Sequence, residues 1–280
     1  MKKVIQKAMP LVYGKYLNVL ATVNPRKAAK VGFDIFCTIR KGRVTELQKE
    51  YLDSAKLAKE KVGEQHIQSY RWPGSKETVL LMHGWESNTY RWRNLIKFLQ
   101  EKDFNIIAFD APAHGYSTGK MLHVPLYAET TRHFITKYQP DYVVAHSIGG
   151  MTILFDHYQH PESKVKKIVT VGSPCEFQQF INHYQALLKF NAKVKAAMDQ
   201  RLKQEFGFHI HEFSSAKFVS NNTKKGLLFH DKLDLQVPHT ESIRVHEHWH
   251  GSKLVLTEGL GHSMHQDGVN EQIVNFLEEG

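Results

Sequence analysis

The chain has 280 residues, with 37 Lys and Arg, 28 Asp and Glu, and a formal net charge of +9. Hydrophobic residues make up 41% of it and aromatic residues 11%, a balance that excludes a disordered tail, a collagen-like fibre and a low-complexity array. This length is enough for one large hydrophobic core. Two cysteines, Cys37 and Cys175, are too few for a disulfide framework and indicate reduced thiols in a cytoplasmic protein.

The excess of positive charge does not by itself identify a partner. A pI near 9.3 suits nucleic acid or an anionic membrane surface. Lys and Arg are nevertheless distributed along the whole chain, and no zinc-finger, RNA-binding or P-loop spacing occurs. We therefore expect a positive surface and no nucleic-acid partner.

The first twenty residues only superficially resemble a signal peptide. Lys2 and Lys3 precede apolar residues, but Lys7, Pro10 and Gly14 interrupt the run, which is too short to span a membrane. An amphipathic helix is predicted instead, with an apolar side formed by Val4, Ile5, Ala8, Leu11 and Val12. We expect it to pack on the protein itself; the alternative is contact with a membrane surface, which would make the cytoplasmic protein membrane-peripheral.

An N-terminal helical arm is predicted over residues 1–63, followed by a strand over Gln65–Trp72. Beyond it, short apolar runs at 78–82, 105–109, 142–145, 168–171, 227–229 and 254–256 alternate with helical patterns at 89–100, 124–138, 148–157, 239–249 and 270–278. Strands that are apolar on both faces and separated by helices predict an α/β fold, a mostly parallel sheet with helices on both faces.

One long interval interrupts this alternation. Between Pro174 and Thr223 only helical pattern occurs, and an insertion of this length in a compact domain is usually functional. We predict a helical cap over residues 176–222, inserted between core segments 64–175 and 223–280. Its aromatic residues Phe177 and Tyr184 are candidate substrate contacts.

A serine lies between an apolar run and a helical pattern, in the sequence Ala145-His146-Ser147-Ile148-Gly149-Gly150. Small residues two positions either side of a serine at a strand-to-helix turn are typical of a nucleophile elbow, where strand and helix approach too closely for large side chains. Ala145 stands where glycine is usual, a departure of one methyl group.

Five segments in order resemble the α/β-hydrolase superfamily, in its serine esterase and lipase branch: His83-Gly84-Trp85, Phe109-Asp110-Ala111-Pro112-Ala113-His114-Gly115, the Ser147 elbow, Asp234-Leu235-Gln236-Val237-Pro238 and Gly261-His262. The resemblance covers roughly residues 79–277. It implies the α/β-hydrolase fold, with catalytic groups at the carboxyl ends of the strands, in agreement with the alternation above.

The resemblance also implies a catalytic triad of Ser147, Asp234 and His262, whose chain order is the one expected for this fold. Asp231 and His265 compete with Asp234 and His262; the family's position four residues before the proline favours Asp234, and the preceding glycine favours His262. The predicted oxyanion donors are the backbone N–H groups of Trp85 and Ile148. No cofactor or metal is required.

Other histidines and Asp110 have structural interpretations beside functional ones. Asp110 and His114 are expected to support the loop after the second core strand, and His83 to shape the oxyanion loop. His146, beside the nucleophile, is first a structural neighbour and second a substrate contact. The segment 246–250 carries three histidines, but it lacks the zinc-protease pattern and is expected to be a solvated helix.

The predicted activity is hydrolysis of carboxylic esters through an acyl-enzyme on Ser147, with a small-molecule ester substrate that has an apolar acyl or alcohol part. A serine at the elbow argues against haloalkane dehalogenases and epoxide hydrolases of this fold, which use a carboxylate there. Two alternatives stay open: thioester hydrolysis or acyl transfer on the same triad, and a catalytically silent binding module.

Overall fold

Two compact units make up the chain, which the computed structural model describes over residues 2–279, with side chains from Met9 onward. The helical unit comprises Met1–Thr38 and Glu176–Ser214, and the sheet unit comprises Ile39–Cys175 and Ser215–Gly280. This division differs from the predicted arm over 1–63 and cap over 176–222. The first 38 residues associate with the insertion, whereas residues 39–63 belong to the sheet unit.

An eight-stranded sheet forms the centre of the sheet unit, counted over the residues that the structure describes. Its strands are β1 (Lys56–Val62), β2 (Gln65–Trp72), β3 (Thr78–Met82), β4 (Asn105–Phe109), β5 (Tyr142–His146), β6 (Lys167–Val171), β7 (Lys225–Asp231) and β8 (Ser252–Thr257). Their spatial order is β1-β2-β4-β3-β5-β6-β7-β8. β2 pairs antiparallel with both neighbours, and every other pair is parallel. The predicted mostly parallel sheet is confirmed.

Helices cover both faces of this sheet. α3 (Glu46–Asp53), α4 (Arg93–Glu101) and α11 (Asp267–Glu278) contribute to one hydrophobic core, with Leu81 on the sheet side. α5 (Val124–Tyr138), α6 (Ile148–Gln159), α9 (Ser215–Val219) and α10 (Thr240–His248) contribute to the other, with Leu80. Successive side chains of a strand point to opposite faces, so the continuous apolar runs supply both cores.

The strand β1 corrects the sequence prediction, because Lys56–Val62 had been included in the helical arm. This segment pairs antiparallel with β2 along its whole length. It is an edge strand, and only Glu60 and Val62 of its seven side chains are buried. Charged, Lys-rich edge strands protect a sheet from pairing with other chains, and this composition gave the segment no strand-like apolar run.

The helical unit consists of α1 (Lys2–Val23), α2 (Pro25–Cys37), α7 (Phe177–Leu188) and α8 (Ala192–Phe206). Asn24 caps α2 by accepting the N–H of Lys27. The predicted apolar positions Val4, Ile5 and Ala8, and Lys2, Lys3 and Lys7, lie outside the described side chains. Within the described residues, no helix is both long enough and apolar enough to cross a membrane.

A buried lysine closes the C-terminal end of α11. Lys167 is 4% exposed, and its Nζ donates to the carbonyls of Phe276, Leu277 and Glu279. We expect Lys167→Met to lower the free energy of unfolding by about 1–3 kcal/mol, because the carbonyls lose a charged donor. Lys166→Met is the matched control, since Lys166 is exposed and pairs with Asp141 at the surface, so its replacement should change stability much less. Urea unfolding measures both; equal values would contradict this role.

Candidate active site

Ser147 occupies a strained turn between β5 and α6. Its backbone has φ 52° and ψ −125°, and its N–H donates to the carbonyl of Val171 at 2.9 Å. The turn is tight: a Cβ at Gly149 would lie 2.7 Å from the carbonyl oxygen of His83. Ala145 is fully buried in β5, so its extra methyl group is accommodated. A positive φ at serine is unfavourable and is typical of a site where function requires it.

Asp234 and His262 are joined by a short hydrogen bond. Nδ1 of His262 lies 2.6 Å from Oδ2 of Asp234, and Oδ1 of Asp234 accepts the backbone N–H groups of Gln236 and Val237 at 2.8 and 3.0 Å. Burial alone would raise the pKa of Asp234. Hydrogen bonds from His230, His262 and these two N–H groups outweigh it and hold the pKa well below its ordinary value. The carboxylate is therefore charged at neutral pH.

Asp231, the competing acid, has a different set of partners. Its Oδ1 accepts the N–H of Leu233 at 3.0 Å, and its Oδ2 accepts the Thr257 hydroxyl and the Leu260 N–H, both at 2.8 Å. Asp231 thus ties the loop after β7 to the loop that carries His262. The competing histidine, His265, is bound through its carbonyl by Asn94 and Asn270.

The end of β6 lies next to both the serine and the histidine. The carbonyl of Val171 accepts the Ser147 N–H, and a Cβ at the next residue, Gly172, would lie 3.2 Å from Nδ1 of His262. Gly172 has φ +58°, where glycine is favoured. The absence of a side chain lets the imidazole rest against the backbone there. Residues 171–172 therefore lie directly beside both Ser147 and His262.

His146 supports the loop of His262. Its Nε2 donates to the carbonyl of His262 at 2.9 Å, and the two rings meet edge to face at 4.7 Å. Its Nδ1 is buried without a hydrogen-bond partner among the described residues, and faces Gly84. Burial, followed by the charge of Arg91, lowers the pKa of His146 well below its ordinary value. Its predicted contact with substrate stays a prediction.

Two neutral histidines hold the loop that contains Trp85. His83 donates from Nδ1 to the Gly84 carbonyl at 2.8 Å and accepts the Ala111 N–H at Nε2 at 2.9 Å. His114 donates to the Pro112 carbonyl and accepts the Glu86 N–H at 3.0 Å. The loop is thus fixed on both sides of Trp85.

The N–H groups of Trp85 and Ile148 are available to a ligand. Neither donates a hydrogen bond to another described residue. A Cβ at Gly84, one residue before Trp85, would lie 3.0 Å from the Cβ of Ser147, so this loop passes directly beside the serine. Ile148 follows the serine as the first residue of α6. Two free N–H groups beside a serine form a geometry suited to an oxyanion.

The sequence interpretation missed two residues that support the site. His230 is fully buried; its Nε2 lies 3.3 Å from Oδ2 of Asp234 and 2.9 Å from the Val237 carbonyl, and its Nδ1 lies 2.6 Å from the Ser242 hydroxyl. Arg91 donates to the Ser263 carbonyl at 2.9 Å. His230 could have been found from its place at the end of a strand, four residues before the acid; nothing in the sequence marks Arg91.

The remaining candidates have structural partners. Asp110 accepts the Tyr70 hydroxyl and the N–H groups of Thr89 and Tyr116, as expected for a loop support. Phe177 and Tyr184 lie in the helical unit, where both rings pack on Phe36 and the Tyr184 hydroxyl donates to the Gly32 carbonyl. Their contact with substrate stays a prediction.

The histidine-rich segment also has protein partners. His246 pairs through Nδ1 with the Ser252 hydroxyl, and His248 donates to the Arg244 carbonyl. Among the described residues, no three metal-ligand side chains come together.

Comparisons with known proteins agree with this fold. The esterase Rv0045c of Mycobacterium tuberculosis is 31% identical over 93 residues, which cover 31% of this chain and 30% of that protein. The monoacylglycerol lipase abhd6-B of Xenopus laevis is 25% identical over 210 residues, covering 70% and 58%. The chain thus spans less than two thirds of either relative.

Solved structures show the same architecture. The alpha/beta hydrolase domain-containing protein 10 from mouse superposes with a TM-score of 0.63 at 17% identity, covering 80% of this chain and 97% of that one. The sequence model of the alpha/beta hydrolase fold family matches residues 77–235, which contain β3 to β7, the Ser147 turn and Asp234. The chain belongs to the alpha/beta hydrolase fold family.

Proposed function

We propose that the protein hydrolyses carboxylic esters through an acyl-enzyme on Ser147, with His262 and Asp234 completing the triad. The observation that carries this proposal is the 2.6 Å bond between Asp234 and His262, next to a serine held at φ 52°. A charged carboxylate, an imidazole and a strained serine are the parts of a serine hydrolase. The named esterase and lipase among the relatives support the same chemistry.

Ser147 Oγ attacks the ester carbonyl while Nε2 of His262 takes its proton, since Nδ1 is bonded to Asp234. Asp234 keeps the proton on Nδ1 and stabilises the imidazolium. The same proton then passes to the leaving alkoxide, and the C–O bond of the ester breaks to leave an acyl-enzyme. Water, deprotonated by His262, releases the acid and restores the serine.

The N–H groups of Trp85 and Ile148 donate hydrogen bonds to the carbonyl oxygen of the substrate and stabilise the negative charge that develops on it. Because His83 and His114 hold the loop on both sides of Trp85, its donor is fixed before the substrate arrives. Preorganised donors stabilise a transition state without reorganising, and one such donor is typically worth ~10²–10³ in rate.

The proposed substrate is a small-molecule ester with an apolar acyl or alcohol part. Leu233 and Leu235, which flank Asp234 in the sequence, are 58% and 99% exposed, and Trp85, which carries a proposed oxyanion N–H, is partly buried. Apolar side chains at a site favour an apolar ligand. Cys37 and Cys175 are both buried, and two cysteines are too few for a disulfide framework, so we propose the cytoplasm.

A fluorophosphonate probe tests this proposal, because Ser147 must displace fluoride from phosphorus with help from His262. We expect one labelled peptide containing Ser147, no labelling of Ser147→Ala, and much slower labelling of His262→Gln. Ser173→Ala is the matched control, since Ser173 is a buried serine just beyond β6, and should label normally. Peptide mass spectrometry locates the label.

The outcome also separates the alternatives. A folded protein that the probe leaves unlabelled would be a binding module and not a hydrolase. Where Ser147 labels, turnover of a matched ester and thioester decides the substrate class: cleavage of the thioester alone would replace ester hydrolysis by thioester hydrolysis. Acyl transfer would show as release of a new ester when an alcohol is added.

A further inference from the structure

The outer face of α1 carries a stripe of exposed apolar side chains. We name it the α1 stripe and define it by Met9, Val12, Tyr13, Tyr16, Val19 and Val23. Val19 is 68% exposed and Val23 83% exposed. At 100° per residue these positions cover roughly a third of the helix circumference. Contiguous apolar surface of this kind marks an interaction site on a protein that is otherwise polar outside.

The opposite side of α1 is already occupied by the helical unit. Leu17 is fully buried, and a Cβ at Gly14 would lie 1.7 Å from the carbonyl oxygen of Leu188, which shows how closely α1 approaches α7. Asn18 donates to the Lys189 carbonyl and accepts the N–H of Asn191. The helix is thus held in one rotation about its axis, and the α1 stripe faces solvent.

Positive charge is concentrated in the same unit. The helical unit contains 12 Lys and Arg against five Asp and Glu, a net charge of +7, whereas the rest of the chain has a net charge of +2. This concentration of positive charge is not visible along the sequence, because 137 residues separate the two segments of the unit. Lys15 lies one turn from both Val12 and Val19 and is exposed, and Arg26 and Lys27 are exposed just beyond the end of α1.

We propose that the helical unit binds the surface of an anionic lipid bilayer, with the α1 stripe inserted among the acyl chains and Lys15, Arg26 and Lys27 at the headgroups. An apolar stripe bordered by basic residues is the pattern of an interfacial helix. Tyr13 and Tyr16 suit this depth, because their rings are apolar and their hydroxyls polar. The concentrated charge favours an anionic bilayer over a second copy of this unit, which would carry +7 as well.

The test is co-sedimentation of the full chain with vesicles of phosphatidylcholine mixed with phosphatidylglycerol, compared with pure phosphatidylcholine. We expect binding to the mixed vesicles only, weakening as salt is added. Val12→Ser with Val19→Ser should weaken the binding at least about tenfold, because two apolar side chains leave the bilayer. Lys15→Gln should weaken it by about fivefold.

Leu47→Ser is the matched control, since Leu47 is 91% exposed but lies on α3 in the sheet unit. This variant should bind the mixed vesicles as the wild-type protein does. All replaced side chains are exposed, and circular dichroism checks that the variants fold. Failure of the folded wild-type protein to bind mixed vesicles, or binding that the α1 stripe variants leave unchanged, overturns the proposal. Concentration-dependent dimerisation that Val12→Ser with Val19→Ser abolishes, without vesicle binding, would assign the stripe to a second copy. Loss of serine labelling does not affect this result, so it is independent of the proposed hydrolysis.

Discussion

Asp234→Asn should lower kcat for a small ester by about 10⁴-fold while leaving the protein folded. Asparagine is nearly isosteric with aspartate, but it removes the charge that stabilises the imidazolium of His262 and can bind the wrong tautomer of the ring. The 2.6 Å bond between Asp234 and His262 makes this dependence direct. Steady-state kinetics with an activated ester, together with urea unfolding of each variant, measures both effects.

Asp231→Asn is the matched control, because Asp231 ends β7 only three residues before Asp234 and has a different set of hydrogen-bond partners. Asp231 binds Leu233, Thr257 and Leu260, so its replacement should lower the free energy of unfolding by about 1–3 kcal/mol and change kcat by less than about tenfold. An Asp231→Asn variant that folds and loses as much activity as Asp234→Asn would reverse the assignment of the acid.

Much of the sheet unit could be predicted from the sequence because its central strands are buried on both faces. A buried parallel strand needs apolar side chains at every position, so its pattern is short, continuous and distinct from a helix. β3 and β4 have the predicted bounds, and β5 to β8 differ by a few residues at their ends. β1 escaped because an edge strand needs few apolar residues and benefits from charge.

The association of the N-terminal helices with the insertion could not be predicted in this way. Helical periodicity shows which face of a helix is apolar but does not show which partner covers it. α1 illustrates the limit: Leu17 packs against other helices of its unit, while the nearby Val19 is exposed. Only the three-dimensional arrangement shows that one apolar side of α1 is packed while the other, the α1 stripe, is exposed.

In the candidate site too, residues that lie in short sequence motifs could be predicted, whereas residues that act across strands could not. Ser147, Asp234 and His262 could be proposed because each lies in a short motif, and the structure brings Asp234 and His262 into contact. The groups that hold the site, such as His230 and Gly172, act across strands and have no motif of their own. Short motifs in the sequence therefore point to the proposed reacting groups more readily than to the groups that position them.

Acid should destabilise the protein steeply below about pH 6.5, because several buried histidines must stay neutral, three of them beside the candidate site. Burial is the main cause that lowers the pKa of His83 to about 4 and of His114 to about 3, and it lowers that of His146 well below its ordinary value of 6.5. In His83 and His114, Nε2 accepts a backbone N–H. A protonated Nε2 would itself be a donor, so that hydrogen bond would be lost and the two N–H groups would repel each other. Neither ring can be protonated without breaking the loop around Trp85.

The direction of this pH effect follows from which state, folded or unfolded, binds more protons. Between pH 6.5 and pH 4 the unfolded chain takes up protons that the folded chain refuses, so the free energy of unfolding falls as pH falls, by about 1.4 kcal/mol per pH unit for each histidine. Above pH 6.5 both states are neutral and this contribution is constant and complete. Urea unfolding at a series of pH values across this range measures the slope.

His114→Gln should reduce this slope by the contribution of one histidine, about 1.4 kcal/mol per pH unit. The variant should still fold, because the glutamine amide can also accept the Glu86 N–H and donate to the Pro112 carbonyl. His250→Gln, at an exposed position, is the control substitution. A wild-type slope near zero, or one that His114→Gln does not reduce, would show that these rings do not hold the oxyanion loop in their neutral form.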